Sequence, residues 1–495
     1  MATTFKPPAT QRVYDVCVIG GGVGGAAAGA LLSRRGFRVL LVDEGSASTP
    51  VADGGWLFPA GPTLRPSPRA LPAAEALLAD LGLATDAIRS VEPLDPPLQV
   101  LLPRHRLELA PDDAALEREL RREWPAGAGA LSDVLARLAS AAELGGALLK
   151  GAPPLPPASL LDRWTLRRAV GRAAAETGLD QALLTGPSPL ATLGDAPLAV
   201  ALTALSGLLG RIDGPPSAFV LGRLAGVALG GLHRPVAGVT GVEDGLRRRI
   251  TETRGEVLGS QAEPARVESI GIDHGRLAMV HLAGTSDTRM ARAFVIAAPL
   301  ARVAELLPAE GRSGRLARSL AAVRPGARLA ACHLLLRSAA RPPGLGDAAL
   351  LLDDHGAEAG AVLLELSPAR RELRRGAPAE TVPDHLTASA FALLQPGSDE
   401  AAIRSRLRRA LEAALPFHER HLVHRAEPPP VAHQLHFDAP TPLGAGGLPV
   451  RSPWKNAFLA SGEVLPGLGL EGELFAGLQA AAYVGALLGV KSRPG

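Results

Sequence analysis

Cysteine is nearly absent from this sequence: Cys17 and Cys332 are the only two in 495 residues. They make no disulfide framework, and each falls in an expected strand, where a buried free thiol is the ordinary state. A dominant charge is missing too, since 52 Lys and Arg face 49 Asp and Glu and leave a formal charge of +3. That balance argues against electrostatic capture of nucleic acid. Outside the glycine-rich C-terminal helix no run reaches about 18 strongly apolar residues, so no membrane-spanning segment is expected. Residues 1–11 are short, polar and proline-containing and lack the apolar core of a signal peptide, so a cytoplasmic protein is the expectation. Aromatic residues make up only 3%, a bias that reflects GC-rich coding more than function. What is present is 47% apolar residues in a chain long enough for two intertwined domains.

One stretch organises the rest. Val16-Cys17-Val18-Ile19 breaks into Gly20-Gly21-Gly22-Val23-Gly24-Gly25 and continues as an alanine-rich segment, which reads as strand, tight turn and helix. Gly20, Gly22 and Gly25 fill the places of G-x-G-x-x-G: the first for the sharp turn, the second for close approach of a pyrophosphate, the third for packing of helix on strand. The amides at the helix start, including those of Val23 and Gly24, would face the diphosphate. A second strand, residues 37–42, ends at Asp43-Glu44, about 20 residues on, where a ribose-binding carboxylate is expected. An acid there suits an adenosine ribose with a free 2′-hydroxyl, as in FAD or NAD.

Downstream, Gly54 to Thr63 closes on Gly61-Pro62-Thr63. With the first βαβ unit, this segment resembles the phytoene desaturase-like group of FAD-dependent oxidoreductases, which also includes carotenoid isomerases and is related to the flavin amine oxidases. The resemblance implies a glutathione reductase-type, Rossmann-like FAD-binding domain of α/β class, with an inserted substrate domain of mixed sheet and helices. Residues 45–53 depart from the group by carrying no Gly-Gly-Arg or Gly-Gly-Xaa signature. The expected division gives 1–65, 233–300 and 441–495 to the FAD domain, and 66–232 and 301–440 to the substrate domain.

The resemblance extends to later segments. A valine at the place of Val267 contacts adenine through its backbone. Near the C-terminus a strand ends in Gly462-Glu463, and a glycine turn follows before an apolar helix from about Glu473. By the same resemblance Gly462 and Glu463 reach the diphosphate or ribitol, and Leu470 and Gly472, beside Glu471, lie where a helix N-terminus faces the flavin N1 and O2 edge. A dipole there would favour hydride acceptance. Glu471 and Arg65 lie near these motifs and are expected to be solvated charges.

Residues 196–232 are the most apolar of the middle region. They suit core helices, a greasy tunnel or a membrane-docking surface. His418, His421 and His424, with His433 and His436, lack the carboxylate or fourth ligand of a metal site, and no metal is expected. The implied activity is dehydrogenation or isomerisation of a hydrophobic, polyisoprenoid or carotenoid small molecule, with peripheral contact at the inner face of a membrane left open. Two alternatives remain: an amine oxidase-like flavoenzyme, and an FAD-binding protein with a structural role. The first normally needs an aromatic pair and a lysine, whereas this chain has two tyrosines and only Lys6, Lys150, Lys455 and Lys491. No catalytic acid or base is assigned.

Overall fold

The computed structural model describes residues 12–489 apart from 46–49, 195, 237–238, 240, 261–262, 285–287, 310–312, 353–360, 372–379 and 439–440. The N-terminal polar segment, part of the loop after Glu44, Lys6 and Lys491 lie outside the described residues.

In chain order, β1 (Arg12–Ile19), α1 (Val23–Arg34) and β2 (Val39–Val42) form the opening unit. Next come β3 (Val51–Asp53), β4 (Trp56–Phe58), β5 (Gln99–Leu101) and β6 (Arg106–Glu108). A helical middle region contains α2 (Ala128–Lys150), α3 (Leu160–Thr177) and α4 (Pro197–Leu209), and α5 (Val242–Thr253) follows it. Strands β7 (Glu256–Leu258), β8 (Val267–Asp273), β9 (Arg276–Leu282) and β10 (Thr288–Ile296) lead to α6 (Leu300–Leu306). Beyond it are β11 (Arg328–Arg337), β12 (Ala348–Leu351), β13 (Val362–Arg371), β14 (Glu380–Leu394) and α7 (Glu400–Ala414). The chain closes with β15 (Leu422–Ala426), β16 (Val431–Ala432), β17 (Ala457–Leu459) and α8 (Gly469–Leu488).

Seven strands form one sheet in the order β7-β2-β1-β10-β9-β8, with β17 also on β10. Its β7, β2, β1, β10 and β17 run parallel, while β8, β9 and β10 form a meander. Val16 to Ile19 and all of β2 are buried, which explains their unbroken apolar runs, as expected of a covered parallel sheet. The second sheet has ten strands in the order β15-β11-β14-β13-β12-β5-β6, with β16 on β11 and the β3–β4 hairpin on β13. Trp56 and Leu57 pair with Arg371 and Arg370. That hairpin, assigned from sequence to the FAD domain, therefore extends the larger sheet, because β13 offers it an open edge.

The apolar stretch 196–232 is core. Leu198, Leu202 and Leu205 of α4 are at most 2% exposed and cluster with Leu329, Leu363 and Phe391 of the large sheet. Beyond α4 a π-helical turn, Gly222–Gly226, crosses α2 so closely that a Cβ on Gly226 would stand 2.2 Å from the Leu138 carbonyl oxygen. Among the described residues no helix is long and apolar enough to cross a membrane. The histidines disperse: His418 bonds the Leu415 carbonyl and His424 faces Asp53.

One half-buried histidine and one buried histidine bear on stability. His433 meets the Leu208 carbonyl at 3.1 Å, and burial, with the Arg211 guanidinium second, pushes its pKa down to about 4. Burial does the same to His333, also to about 4. Between the ordinary value of 6.5 and about 4 the folded state binds fewer protons than the unfolded one, so stability is full above that window and falls as pH drops through it. The expected loss is about 3 kcal/mol per histidine. Glu365 and Glu463, held up by burial, act in the opposite sense from 4.5 upward. Denaturation midpoints from neutral pH to pH 4 should therefore fall less steeply in His433→Gln than in the parent; parallel curves would refute the assignment.

Candidate cofactor site

Four of the five glycines of the first turn divide by what surrounds them. Gly20 takes φ +102, and a Cβ there would sit 2.5 Å from the Ala298 nitrogen, so only glycine makes this turn. A Cβ on Gly25 would meet the Ala297 Cβ at 2.5 Å, the close helix-on-strand packing expected. Gly24 keeps the free amide expected to face the cofactor, but its other side is crowded, since a Cβ on it would stand 2.2 Å from the Ala460 carbonyl oxygen and 2.7 Å from that of Glu473. It is a packing glycine, and Gly477 of α8 answers it, with a notional Cβ 2.3 Å from the Gly24 oxygen. The two ends of the described chain thus meet at a glycine-to-glycine crossing of α1 and α8.

Gly22 differs from all three. Its backbone is ordinary, φ −57 and ψ 161, and the nearest atom to a Cβ there is the Ala297 oxygen at 3.9 Å. Neither strain nor crowding by protein asks for glycine, so the open side is room for a group from outside. At the same place α1 starts with no side-chain cap and no acid in its first turn. Its first intrahelical bond runs from the Ala26 amide to the Gly22 oxygen, so the amides of Val23, Gly24 and Gly25 have no acceptor in the helix. Unspent amides at a helix start attract an anion.

The two acids at the end of β2 part company. Asp43 is fully buried, its carboxylate so close to the turn that a Cβ on Gly21 would be 2.1 Å from it. Oδ1 accepts the Gly45 amide at 3.0 Å. Oδ2 lies 3.2 Å from a guanidinium nitrogen of Arg247 on α5 but has no hydrogen-bond partner among the described residues. Arg247, which sequence reasoning did not single out, also donates to the Gly21 carbonyl at 2.7 Å. Glu44 turns the other way and accepts the Val267 amide at 3.1 Å and Arg302 at 3.0 Å. Because Arg302 also donates to the Val267 carbonyl at 3.2 Å, both backbone groups expected to read adenine are engaged by protein.

At the C-terminal half, Glu463 Oε2 accepts the Leu300 amide at the start of α6 at 2.8 Å, and burial raises its pKa above the ordinary value. A Cβ on Gly462 would come 3.1 Å from Glu473 Oε1, which pairs with Arg211 at 2.6 Å. The last helix starts at Gly469, earlier than the expected Glu473, because Gly469 takes φ +51 beneath the Leu209 carbonyl. Leu470 and Gly472 are therefore inside its first turn. A Cβ on Gly472 would be 2.1 Å from the Leu465 oxygen, so this glycine serves packing. Glu471 is not solvated: it is 4% exposed and holds Arg223, itself 2% exposed, in a two-pronged pair at 2.7 and 2.9 Å. Arg65 is also drawn in, with its side chain 23% exposed beside Glu243 at 3.8 Å.

Glu365 on β13 anchors Gly61-Pro62-Thr63. Its carboxylate accepts the Thr63 amide at 3.0 Å, the Thr63 hydroxyl at 2.7 Å and the Leu64 amide at 3.3 Å, and burial pushes its pKa up. It heads a buried polar row across three strands, since Glu365 pairs with Ser389 and Ser389 with His333, whose Nδ1 lies 2.9 Å from the Ser389 hydroxyl. Sequence reasoning missed this row. The signal was a single polar residue inside an apolar strand, as in Val362-Leu363-Leu364-Glu365-Leu366. Glu365→Leu should cost roughly 2–4 kcal/mol, because it strands three donors. A denaturation midpoint equal to the parent's would show that the segment is held otherwise.

Comparison with known proteins reaches the same place: the profile of the FAD dependent oxidoreductase family (DAO) matches residues 15–179. The match covers one third of the chain, and the superfamily of FAD-dependent oxidoreductases is what that third is similar to. That match supports FAD as the cofactor. The phytoene desaturase (neurosporene-forming) of Rhodobacter capsulatus is 34% identical over 121 residues, 23% of this chain and 22% of that protein. The chain's match therefore spans less than a quarter of that relative's length. Among solved structures, an oxidoreductase from Methanosarcina mazei superposes with TM-score 0.57 at 15% identity, covering 94% of this chain and 100% of that one. Cyclohexylamine oxidase from Brevibacterium oxydans gives 0.56 at 18% identity, covering 96% and 99%. These likenesses carry the fold, which is the expected α/β class with a Rossmann-like FAD domain. The residues present fit FAD on two counts, the open side of Gly22 and the unsatisfied Asp43 Oδ2 beside it.

Proposed function

We propose that this protein dehydrogenates or isomerises a hydrophobic small molecule of polyisoprenoid type. The reading is supported above all by the 34% identity over 121 residues to the phytoene desaturase, and it agrees with the apolar core next to Thr63, where Leu64, Leu202, Leu205, Leu329, Leu363 and Phe391 belong to one buried cluster. The one acid there, Glu365, is already spent on Thr63 and Leu64. FAD supplies the hydride acceptor when bound. The chain's own work is binding and exclusion. The first amides of α1 would hold the diphosphate, and Asp43 would accept from the ribose hydroxyls, its charge balanced by Arg247. The start of α8 would offer a positive helix end to the flavin, with Arg223 offsetting the Glu471 charge in that turn. The apolar surroundings of Thr63 would limit water near the reacting carbons.

The amine oxidase-like alternative finds less support. The two described lysines, Lys150 and Lys455, are exposed, Tyr14 is buried in β1, and Tyr483 stacks on Phe458.

Purified protein should release FAD on denaturation, and a polyene substrate added without oxygen should bleach the flavin or be isomerised. Bound FAD that responds to no polyene would overturn the substrate class. Asp43→Ala should weaken FAD binding about 10- to 100-fold, because it removes a charged acceptor of the ribose. Titration of the apoprotein with FAD checks this, and an unchanged affinity would move the ribose elsewhere.

A further inference from the structure

The N-terminal half of α3 carries a surface the fold leaves uncovered. Leu160, Leu161 and Trp164 are 81%, 67% and 54% exposed. At about 100° per residue the three fall within one arc, on the side of the helix away from Leu166, Val170 and Ala173. Those latter residues are the buried ones, so the helix has two apolar stripes and the core uses one. Around the outer stripe stand exposed Arg163, Arg167, Arg168 and Arg172. Arg168 lies over the Trp164 ring at 4.4 Å. None of the four makes an ion pair with a described carboxylate, whereas Arg211, Arg223, Arg247 and Arg302 all do.

The single acid in this half of the helix is occupied. Asp162 accepts the Ala158 amide at 3.0 Å while its own amide donates to Ser159 Oγ at 3.1 Å, a reciprocal cap. The base of the helix is firm, since Leu155 is fully buried and the Pro153 carbonyl accepts Gln479 of α8.

We propose that this end of α3 docks the protein on an anionic lipid bilayer. Leu160, Leu161 and Trp164 enter the interfacial layer, and Arg163, Arg167 and Arg168 meet lipid phosphates. Charge complementarity decides the occupant, because a second copy placed face to face would set arginines against arginines. The surface is built independently of the residues around Thr63, so the two proposals fail separately.

The test is co-sedimentation of FAD-loaded protein with vesicles of phosphatidylcholine alone, or with phosphatidylglycerol mixed in. Binding is expected only to the anionic vesicles and should weaken with salt. The triple variant Leu160→Ala, Leu161→Ala, Trp164→Ala should bind about tenfold more weakly or worse. Arg163→Gln, Arg167→Gln, Arg168→Gln together should abolish the preference for anionic lipid. Both variants alter exposed positions and should keep the parent's flavin content and circular dichroism. Absence of binding by the parent, equal binding by parent and variants, or a parent dimer that the apolar triple variant turns into monomer would each overturn the proposal.

Discussion

Arg223→Ala is expected to cost about 3–5 kcal/mol and to leave little folded protein at physiological temperature. Arg223 sits on the π-helical turn, and its guanidinium reaches three separate parts of the chain: Glu471 in α8, the Ala142 carbonyl in α2 and the Ala70 carbonyl. Removing it strands a buried carboxylate and takes a donor from two carbonyls. Replacing the pair together, Arg223→Met with Glu471→Leu, should recover a large part of the loss, because no unpaired charge is then left inside. Guanidinium denaturation of the three proteins reads this directly. A single variant within about 1 kcal/mol of the parent would mean that the pair is not the clamp proposed.

The second large effect separates two glycines two positions apart. Gly22→Ala should fold as well as the parent, since the added methyl meets nothing closer than 3.9 Å, yet bind FAD at least tenfold more weakly because the methyl occupies the approach of the diphosphate. Gly24→Ala should do the reverse. Its methyl would lie 2.2 Å from the Ala460 oxygen, so α1 must part from β17 and α8, at a cost of about 1–3 kcal/mol even without cofactor. Apoprotein denaturation together with flavin titration distinguishes the two. Identical profiles for both variants would dissolve the division of labour described for this turn.

These glycines also show how much was legible in the sequence. The opening strand, turn and helix could be read because each depends on near neighbours: a β-branched run, glycines in fixed places, then alanines. The acid at position 43 was found by its spacing. The roles of Gly24 and Gly472 could not be found that way, since Ala460 and Leu465 decide them and only the fold brings Ala460 beside the first turn. Glu471 looked solvated because an isolated glutamate usually is, and its partner Arg223 stands 248 residues away. The start of α8 was placed late because Gly469 resembles a turn residue until its left-handed backbone is seen to open a helix beneath Leu209. Arg247 and Glu365 gave no motif at all. Each matters through what it touches, Gly21 and Asp43 for one and Thr63 for the other.

The crossing of Gly24 with Gly477 has a consequence in time. The first turn is synthesised early, but the surface that backs it belongs to α8, 20 residues at the far end of the described chain. A nascent chain still threaded through the ribosome has the phosphate-binding loop without its lid and buttress. Cofactor capture is thereby expected only after synthesis has passed α8, and flavin loading would report that α1 and α8 have met.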